Sequence, residues 1–262
     1  MIRVLYIGDV VGQPGRRALH QKLESVVDRE RVDFTIVNIE NAAGGFGVTE
    51  AIIDELSDLP INAYTSGNHI WDKKDFVDNY EHYPFVIRPA NYPAGNAGTG
   101  KVIRQTAGGV NVAVLQFMGN VFMPPIDNPF YCADRELASL DENVKVIIVD
   151  IHGEASSEKQ AFGRYLDGRV SAVLGTHTHV PTADERILPG GTAYQTDVGM
   201  TGAYDSVIGF RPDEALHRFL MNTPRKLEVA KRDIRLSGAL IEIDESNGRA
   251  VRIVRIREDV GD

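Results

Sequence analysis

Five apolar, strand-length runs in this chain end on residues that can hold a cation or move a proton. Ile2 to Ile7 stops at Gly8-Asp9, and Val32 to Ile39 stops at Glu40-Asn41. Ile61 to Tyr64 leads into Ser66-Gly67-Asn68-His69. Val144 to Ile151 stops at His152, and Val170 to Leu174 at Gly175-Thr176-His177-Thr178-His179. Helical patterns lie between these runs. After Gln13-Pro14-Gly15, the residues Leu19, Leu23, Val26 and Val27 fall at i, i+4, i+7 and i+8, one apolar stripe. Thr49 is suited to cap a helix carrying Ile52, Ile53 and Leu56, which Pro60 stops. Asp72 is placed to cap a helix through Phe76 and Val77, and Ala133 to Leu140 reads as helical. Ser157 and Gln160 have capping-box spacing ahead of Ala161, Tyr165 and Leu166. Strands alternating with helices over the first 175 residues predict an α/β layered core. In open α/β sheets the carboxyl ends of the strands form the ligand crevice, so residues remote in sequence meet there.

Past the histidine pair the pattern turns β-rich. A helix is expected near Asp213 to Leu220, and Arg235 to Asp244 with Arg249 to Ile256 reads as a closing hairpin about a tight Asn247-Gly248 turn. A mixed sheet, or a second sheet packed on the first, is therefore expected over a purely parallel one. Two stretches rich in proline or glycine, His82–Lys101 and Met118–Tyr131, read as long loops that shape a pocket or an interface. No linker-like boundary or repeat divides the 262 residues, which read as one domain. The net charge of -9 argues against a basic face that grips long nucleic acid. Cys132 is the only cysteine, which excludes an intrachain disulfide and fits a reducing cytosol. Residues 1–7 are too short for a signal h-region, and no apolar run reaches membrane-spanning length. A soluble, cytoplasmic protein with no membrane partner is expected.

Each polar residue at a strand end has an ordinary reading. Asp9 after Gly8 can satisfy turn backbone, Asn41 and Asn68 are common turn formers, and a lone His-x-His is a weak signal. Those readings would have to hold at all five junctions at once. His20, His82 and His217 lie outside the set and are taken as surface or packing residues. If the rest converge, two carboxylates, two carboxamides and three imidazoles give mixed N/O ligation without thiolate. That suits Mn, Fe, Co or Zn rather than Ca or a zinc-finger site. Seven ligands are too many for one open catalytic metal and suit two, with Glu40 as the natural bridge. Two cations about 3.5–4 Å apart can share a hydroxide and clamp a phosphoryl group for in-line attack. His69 then remains free to donate a proton to the leaving oxygen or to stabilise the transition state. A dinucleotide-binding alternative fails on register, because the glycines fall at 8, 12 and 15 and miss G-x-G-x-x-G. A regulatory protein that binds a nucleotide without turnover is the other alternative.

These segments resemble the successive motifs of the calcineurin-like metallophosphoesterases. Three departures stand out. Asp9-Val10-Val11 lacks the usual histidine, Glu40 replaces the usual bridging aspartate, and Ile70 rather than an acid follows Asn68-His69. Together with Asn38-Ile39-Glu40-Asn41, His152-Gly153-Glu154-Ala155 and Thr196 to Gly202, they resemble the YmdB-like branch over essentially the whole chain. The resemblance implies a four-layer α/β/β/α sandwich of two mixed sheets. It implies Asp9, Glu40, Asn41 and His179 as ligands of one metal, and Glu40, Asn68, His152 and His177 as ligands of a second, with His69 catalytic. It also implies phosphodiesterase action, including on 2′,3′-cyclic nucleotides. Iron or manganese is the expected metal, with zinc, cobalt or magnesium as alternatives, and the expected assembly is a homo-oligomer, a dimer or tetramer.

Overall fold

The computed structural model describes residues 1–261. In chain order the strands are β1 (Ile2–Ile7), β2 (Asp9–Val10), β3 (Phe34–Asn38), β4 (Ala63–Thr65), β5 (Lys101–Gln105), β6 (Asn111–Met118), β7 (Val146–His152), β8 (Ala172–Thr176), β9 (Arg186–Ile187), β10 (Ala193–Gln195), β11 (Met200–Ala203), β12 (Ile234–Ile243) and β13 (Ala250–Asp259). The α-helices are α1 (Gly12–Glu30), α2 (Glu50–Leu56), α3 (Lys74–Asp78), α4 (Pro129–Ala138), α5 (Ser156–Tyr165) and α6 (Pro212–Met221).

Two mixed sheets stack face to face. In the first, β1, β3 and β4 are parallel, β12 runs antiparallel beside β1, and β13 pairs with β12 along its length. The short strands β11 and β2 extend this sheet past β12. In the second, β6, β7, β8 and β10 are parallel, with β5 and β9 as antiparallel edges. Period-two alternation decides which side chain goes where. Val4 and Tyr6 of β1 join Phe34, Ile36, Val114, Ile148 and Leu174 in the core between the sheets. Leu5 and Ile7 face the other way, onto Leu19 and Leu23 of α1 and Ile53 of α2. Cys132 of α4 and Phe162 of α5 close the far face of the second sheet against Leu115, Val149 and Val173. The layers are thus α/β/β/α. Burying a leucine such as Leu19 or Leu23 contributes roughly 1.5–3 kcal/mol, which fixes α1 to its sheet.

Several local expectations are corrected. Thr49 sits at the N-cap of α2 without a side-chain cap bond, and the N-cap of α5 is Ala155, two residues before Ser157. The cap that does form is Asn128, whose Oδ1 accepts from the amides of Phe130 and Tyr131, so α4 opens at Pro129 ahead of Ala133. Asp72 does not cap α3, which follows Lys73; it closes the short 3-10 turn Asn68–Trp71 instead. The strand β5 emerges at the end of the proline-rich stretch, and β12 and β13 are joined by a six-residue loop rather than a two-residue turn. The stretches 82–101 and 118–131 are tied together by buried Asn91. Its Nδ2 donates to the carbonyls of Met118 and Asp127, and its Oδ1 accepts from the Met118 amide.

Candidate metal centre

The parallel strands of both sheets point their carboxyl ends to one edge, and the strand-end residues meet there. Glu40, at the end of β3, lies between two sets of donors. On one side its Oε2 is 3.2 Å from His152 Nε2, which is 3.1 Å from both His177 Nδ1 and Asn68 Oδ1. On the other side Asn41 Nδ2 is 2.9 Å from Glu40 Oε1 and 2.9 Å from His179 Nε2. Donor atoms of Glu40, His152 and His177 lie within 4.8 Å of one another, as do those of Asp9, Glu40 and His179. The two clusters share Glu40.

The donors fit cations. Asp9 Oδ1 is buried with no hydrogen-bond partner, a costly state for a carboxylate oxygen unless a positive charge faces it. Lone-pair atoms of Asn68, His177 and Glu40 crowd around a single ring nitrogen of His152, more than one proton can serve. Gly67 leaves this space open: a Cβ there would run into Glu40 Oε2 and His152 Nε2. The electrostatics agree. Burial works against ionising Glu40, yet the imidazoles of His152, His69 and His177 hold its pKa well below the usual carboxylate range. Burial also works against charging His152, but Glu40 beside it wins and raises its pKa. Asp9 is pushed up to about 6 by burial, against the pull of His179 and His152. Burial and the neighbouring His152 lower His177 to about 3.

Beneath the donors lies polar support that the strand pattern did not reveal. Asp150, on β7, is buried between the sheets and accepts from Tyr6 (2.5 Å), Gln116 (3.1 Å), Asn38 (3.3 Å) and the Thr176 hydroxyl (2.7 Å). Thr176 Oγ1 has spent its one hydrogen on Asp150, so it accepts from His152 Nδ1 at 2.9 Å. That fixes the ring so that Nε2 faces the cluster, a familiar way of orienting a metal-binding imidazole. His179 is oriented differently: its Nδ1 lies 2.9 Å from the carbonyl of Ile208.

The histidine pair itself is strained. His177 and His179 have φ of 96° and 65°, a region unfavourable to residues with a Cβ. Thr178 between them is held by Asp197, whose Oδ2 accepts from its amide (3.1 Å) and its hydroxyl (2.8 Å). Lys159 of α5 pairs with the same oxygen at 2.7 Å and donates to the Thr176 carbonyl at 2.7 Å. Both charged groups are buried. This ion pair grips the backbone on either side of His177. Asp197 lies in the Thr196–Gly202 segment and Lys159 inside a helix. Only a buried lysine position on the inner face of α5 could have signalled the pairing.

His69 lies beside the cluster, its amide 3.3 Å from Glu40 Oε2. Its Nδ1 is 2.8 Å from Asp72 Oδ2, so the acid missing after Asn68-His69 is supplied from three residues further on. Glu154, also unassigned by the sequence pattern, stands 3.3 Å from His177 Nε2. A cavity of about 340 Å³ opens on Glu40, Asn41, His69, His177 and His179. Neither the 82–101 nor the 118–131 stretch lines it. Outside the set, His20 makes a surface contact with Glu55, and His217 of α6 lies near Thr223, just past the end of that helix.

The family model described as YmdB-like protein matches residues 5–256. The chain belongs to this family. Its relatives include a 2′,3′-cyclic-nucleotide 2′-phosphodiesterase of Bacillus subtilis (strain 168), 47% identical over 255 residues that span 97% of this chain and 96% of that protein. Two crystal structures share the fold with a TM-score of 0.92. One is of a hypothetical protein from Thermus thermophilus, 42% identical over 98% of this chain and 99% of that one. The other is of a protein from Mycoplasma pneumoniae described as a novel phosphatase, 32% identical over 98% of this chain and 93% of that one. The family's sandwich is the layered architecture described above, and its matched span takes in every strand end of the donor cluster.

Proposed function

We propose that this chain is a metal-dependent phosphodiesterase that hydrolyses small phosphodiesters, 2′,3′-cyclic nucleotides among them. The observation that carries the reading is the pair of donor clusters that share Glu40, in a chain 47% identical to a cyclic-nucleotide phosphodiesterase. Asp9, Glu40, Asn41 and His179 would hold one cation, and Glu40, Asn68, His152 and His177 a second. The mixed nitrogen and oxygen set suits manganese, iron, cobalt or zinc, and the family resemblance favours iron or manganese among them. Bound there, two cations supply Lewis acidity and lower the pKa of water toward neutrality.

The chain's own residues then have distinct tasks. Asn41 would turn its carboxamide oxygen toward the cluster by rotation of the amide plane, giving up the bond from its Nδ2 to Glu40 Oε1. Asp150 and Thr176 keep His152 facing inward. His69, held at Nδ1 by Asp72, has Nε2 left to deliver a proton to the leaving oxygen. Among the described residues no helix is long and apolar enough to cross a membrane. A cytoplasmic homo-oligomer acting on a small substrate completes the proposal.

The test is hydrolysis of bis-p-nitrophenyl phosphate by manganese-loaded protein. Glu40→Gln keeps the shape but removes the shared charge. Activity should fall by more than the ~10–100-fold that a change behind the ligands costs. Full activity in a folded Glu40→Gln protein would overturn the reading, and binding of a cyclic nucleotide without turnover by the wild type would replace it with a sensor.

A further inference from the structure

The turn that orients His179 carries a residue ill suited to its conformation. Val207 and Phe210 bond to each other in both directions, amide to carbonyl at 2.9 and 3.0 Å, around Ile208-Gly209. Both central residues have positive φ, 47° and 96°. A two-residue turn of this kind favours Asn-Gly or Asp-Gly. Gly209 suits it. Ile208 does not, because a β-branched side chain is a genuine outlier in the left-handed region. The Ile208 carbonyl positions His179, but any residue could supply a carbonyl. What isoleucine supplies and the favoured Asn or Asp does not is an apolar side chain, and Ile208 is 47% exposed.

Ile208 lines the same cavity as the donor cluster, together with Phe46, Phe210 and Leu227. Phe46 stacks on Phe210 with centroids 5.3 Å apart and meets the His69 ring edge-on at 5.0 Å. Gly45 makes room for this: at φ 96° it passes under Phe210, where a Cβ would collide with the ring. The glycine-rich segment Gly44–Gly47 thus seats an aromatic wall beside the metal donors. Backbone strain beside a site is maintained only where the surroundings over-determine it, and such outliers cluster where ligands are gripped. Ligand sites pair a mostly apolar lining with a few placed polar groups.

We propose that Ile208, with Phe46, Phe210 and Leu227, is the recognition wall for the flat apolar part of the substrate, the base of a nucleoside phosphodiester. The inference rests on the phosphodiesterase reading above. It makes the enzyme selective for base-bearing diesters over bare sugar phosphates, and it assigns the strain at Ile208 to presenting that wall.

Ile208→Asn tests it, because asparagine tolerates the left-handed region, keeps the carbonyl and removes the apolar group. Manganese-loaded protein is assayed on adenosine 2′,3′-cyclic phosphate and on ribose 2′,3′-cyclic phosphate, which has no base. The ratio of kcat/KM between the two should fall roughly tenfold, the scale of one lost apolar pocket contact. In the same protein Tm should rise by about 2–4 °C as the turn relaxes. Leu227→Ala, outside the turn, should lower the ratio with no rise in Tm. An unchanged ratio in both variants, including an equal loss on both substrates, overturns the wall. If the wild type turns over neither substrate, the phosphodiesterase reading fails instead. The wall then depends on calorimetric binding of 2′-AMP to the wild type, which Ile208→Asn must weaken.

Discussion

The two halves of the donor cluster are built differently. Asp9, Glu40, Asn41 and His179 are all buried, and the first three follow the parallel strands β1 and β3 of the first sheet. On the other half, apart from the shared Glu40, only His152 is buried; Asn68, His69 and His177 are partly exposed. The support differs too. His152 is fixed by a side-chain network that reaches through Thr176 and Asp150 to Tyr6 on the opposite sheet. His179 is held at Nδ1 by one carbonyl of a strained turn, with its Nε2 beside Asn41. The contrast separates tasks. The closed half is set by the fold, with Asn41 and His179 still reaching the cavity wall, whereas the open half brings His177 and the proton-bearing His69 to the same cavity.

The variant that should break this contrast most completely is Asp197→Ala. It frees Thr178 and leaves the buried Lys159 cation without its counter-charge, held only by the Thr176 carbonyl. Removing one member of a buried pair costs about 3–5 kcal/mol. Urea unfolding should show that loss. Because Thr178 links His177 to His179, the folded fraction should lose metal from both halves together. Retention of two metals per chain in Asp197→Ala would show that the halves are held independently of the clamp. A smaller and sharper effect is expected from the histidines themselves. His177→Ala should empty the open half alone, and His179→Ala the closed half alone. Elemental analysis after gel filtration decides it: if both variants retain the same single metal, the division between the halves is wrong even though the donors converge.

The layers were legible in the sequence because apolar runs of strand length, separated by 3.6-period stripes, leave few alternatives. The strand-end donors were legible for the same reason: once the strands are parallel, the residues after them share an edge. The Lys159–Asp197 clamp was not, since a lysine in a helix and an aspartate in a loop are common, and only tertiary burial pairs them. Asp72 was misread as a cap because its spacing from Phe76 suits one; the carboxylate turns back to His69 instead. Ile208 carried no local signal at all. Isoleucine argues against a left-handed turn, and the site overrode that preference.

The smallest expected effect is a pH response of opposite sign in the two halves of chelator-treated protein. On the closed half, Asp9 has a folded pKa of about 6, above its ordinary value of 3.8. The folded state therefore holds a proton that the unfolded chain releases, and stability falls as pH rises from about 4 to 6. On the open half, His177 has a folded pKa of about 3, below its ordinary value of 6.5. Here the unfolded chain binds the proton first, so stability falls as pH drops below about 6.5. Each group contributes a slope of at most about 1.4 kcal/mol per pH unit. Between pH 4 and 6 the two slopes offset each other. Asp9→Asn removes the closed-half slope, so its urea midpoint should fall more steeply on acidification than that of the wild type. His177→Ala removes the open-half slope, and its midpoint should rise as pH is lowered from about 6 to about 4. Parallel curves for the two variants would mean that the halves titrate as one unit, and the separation drawn from their burial would fail.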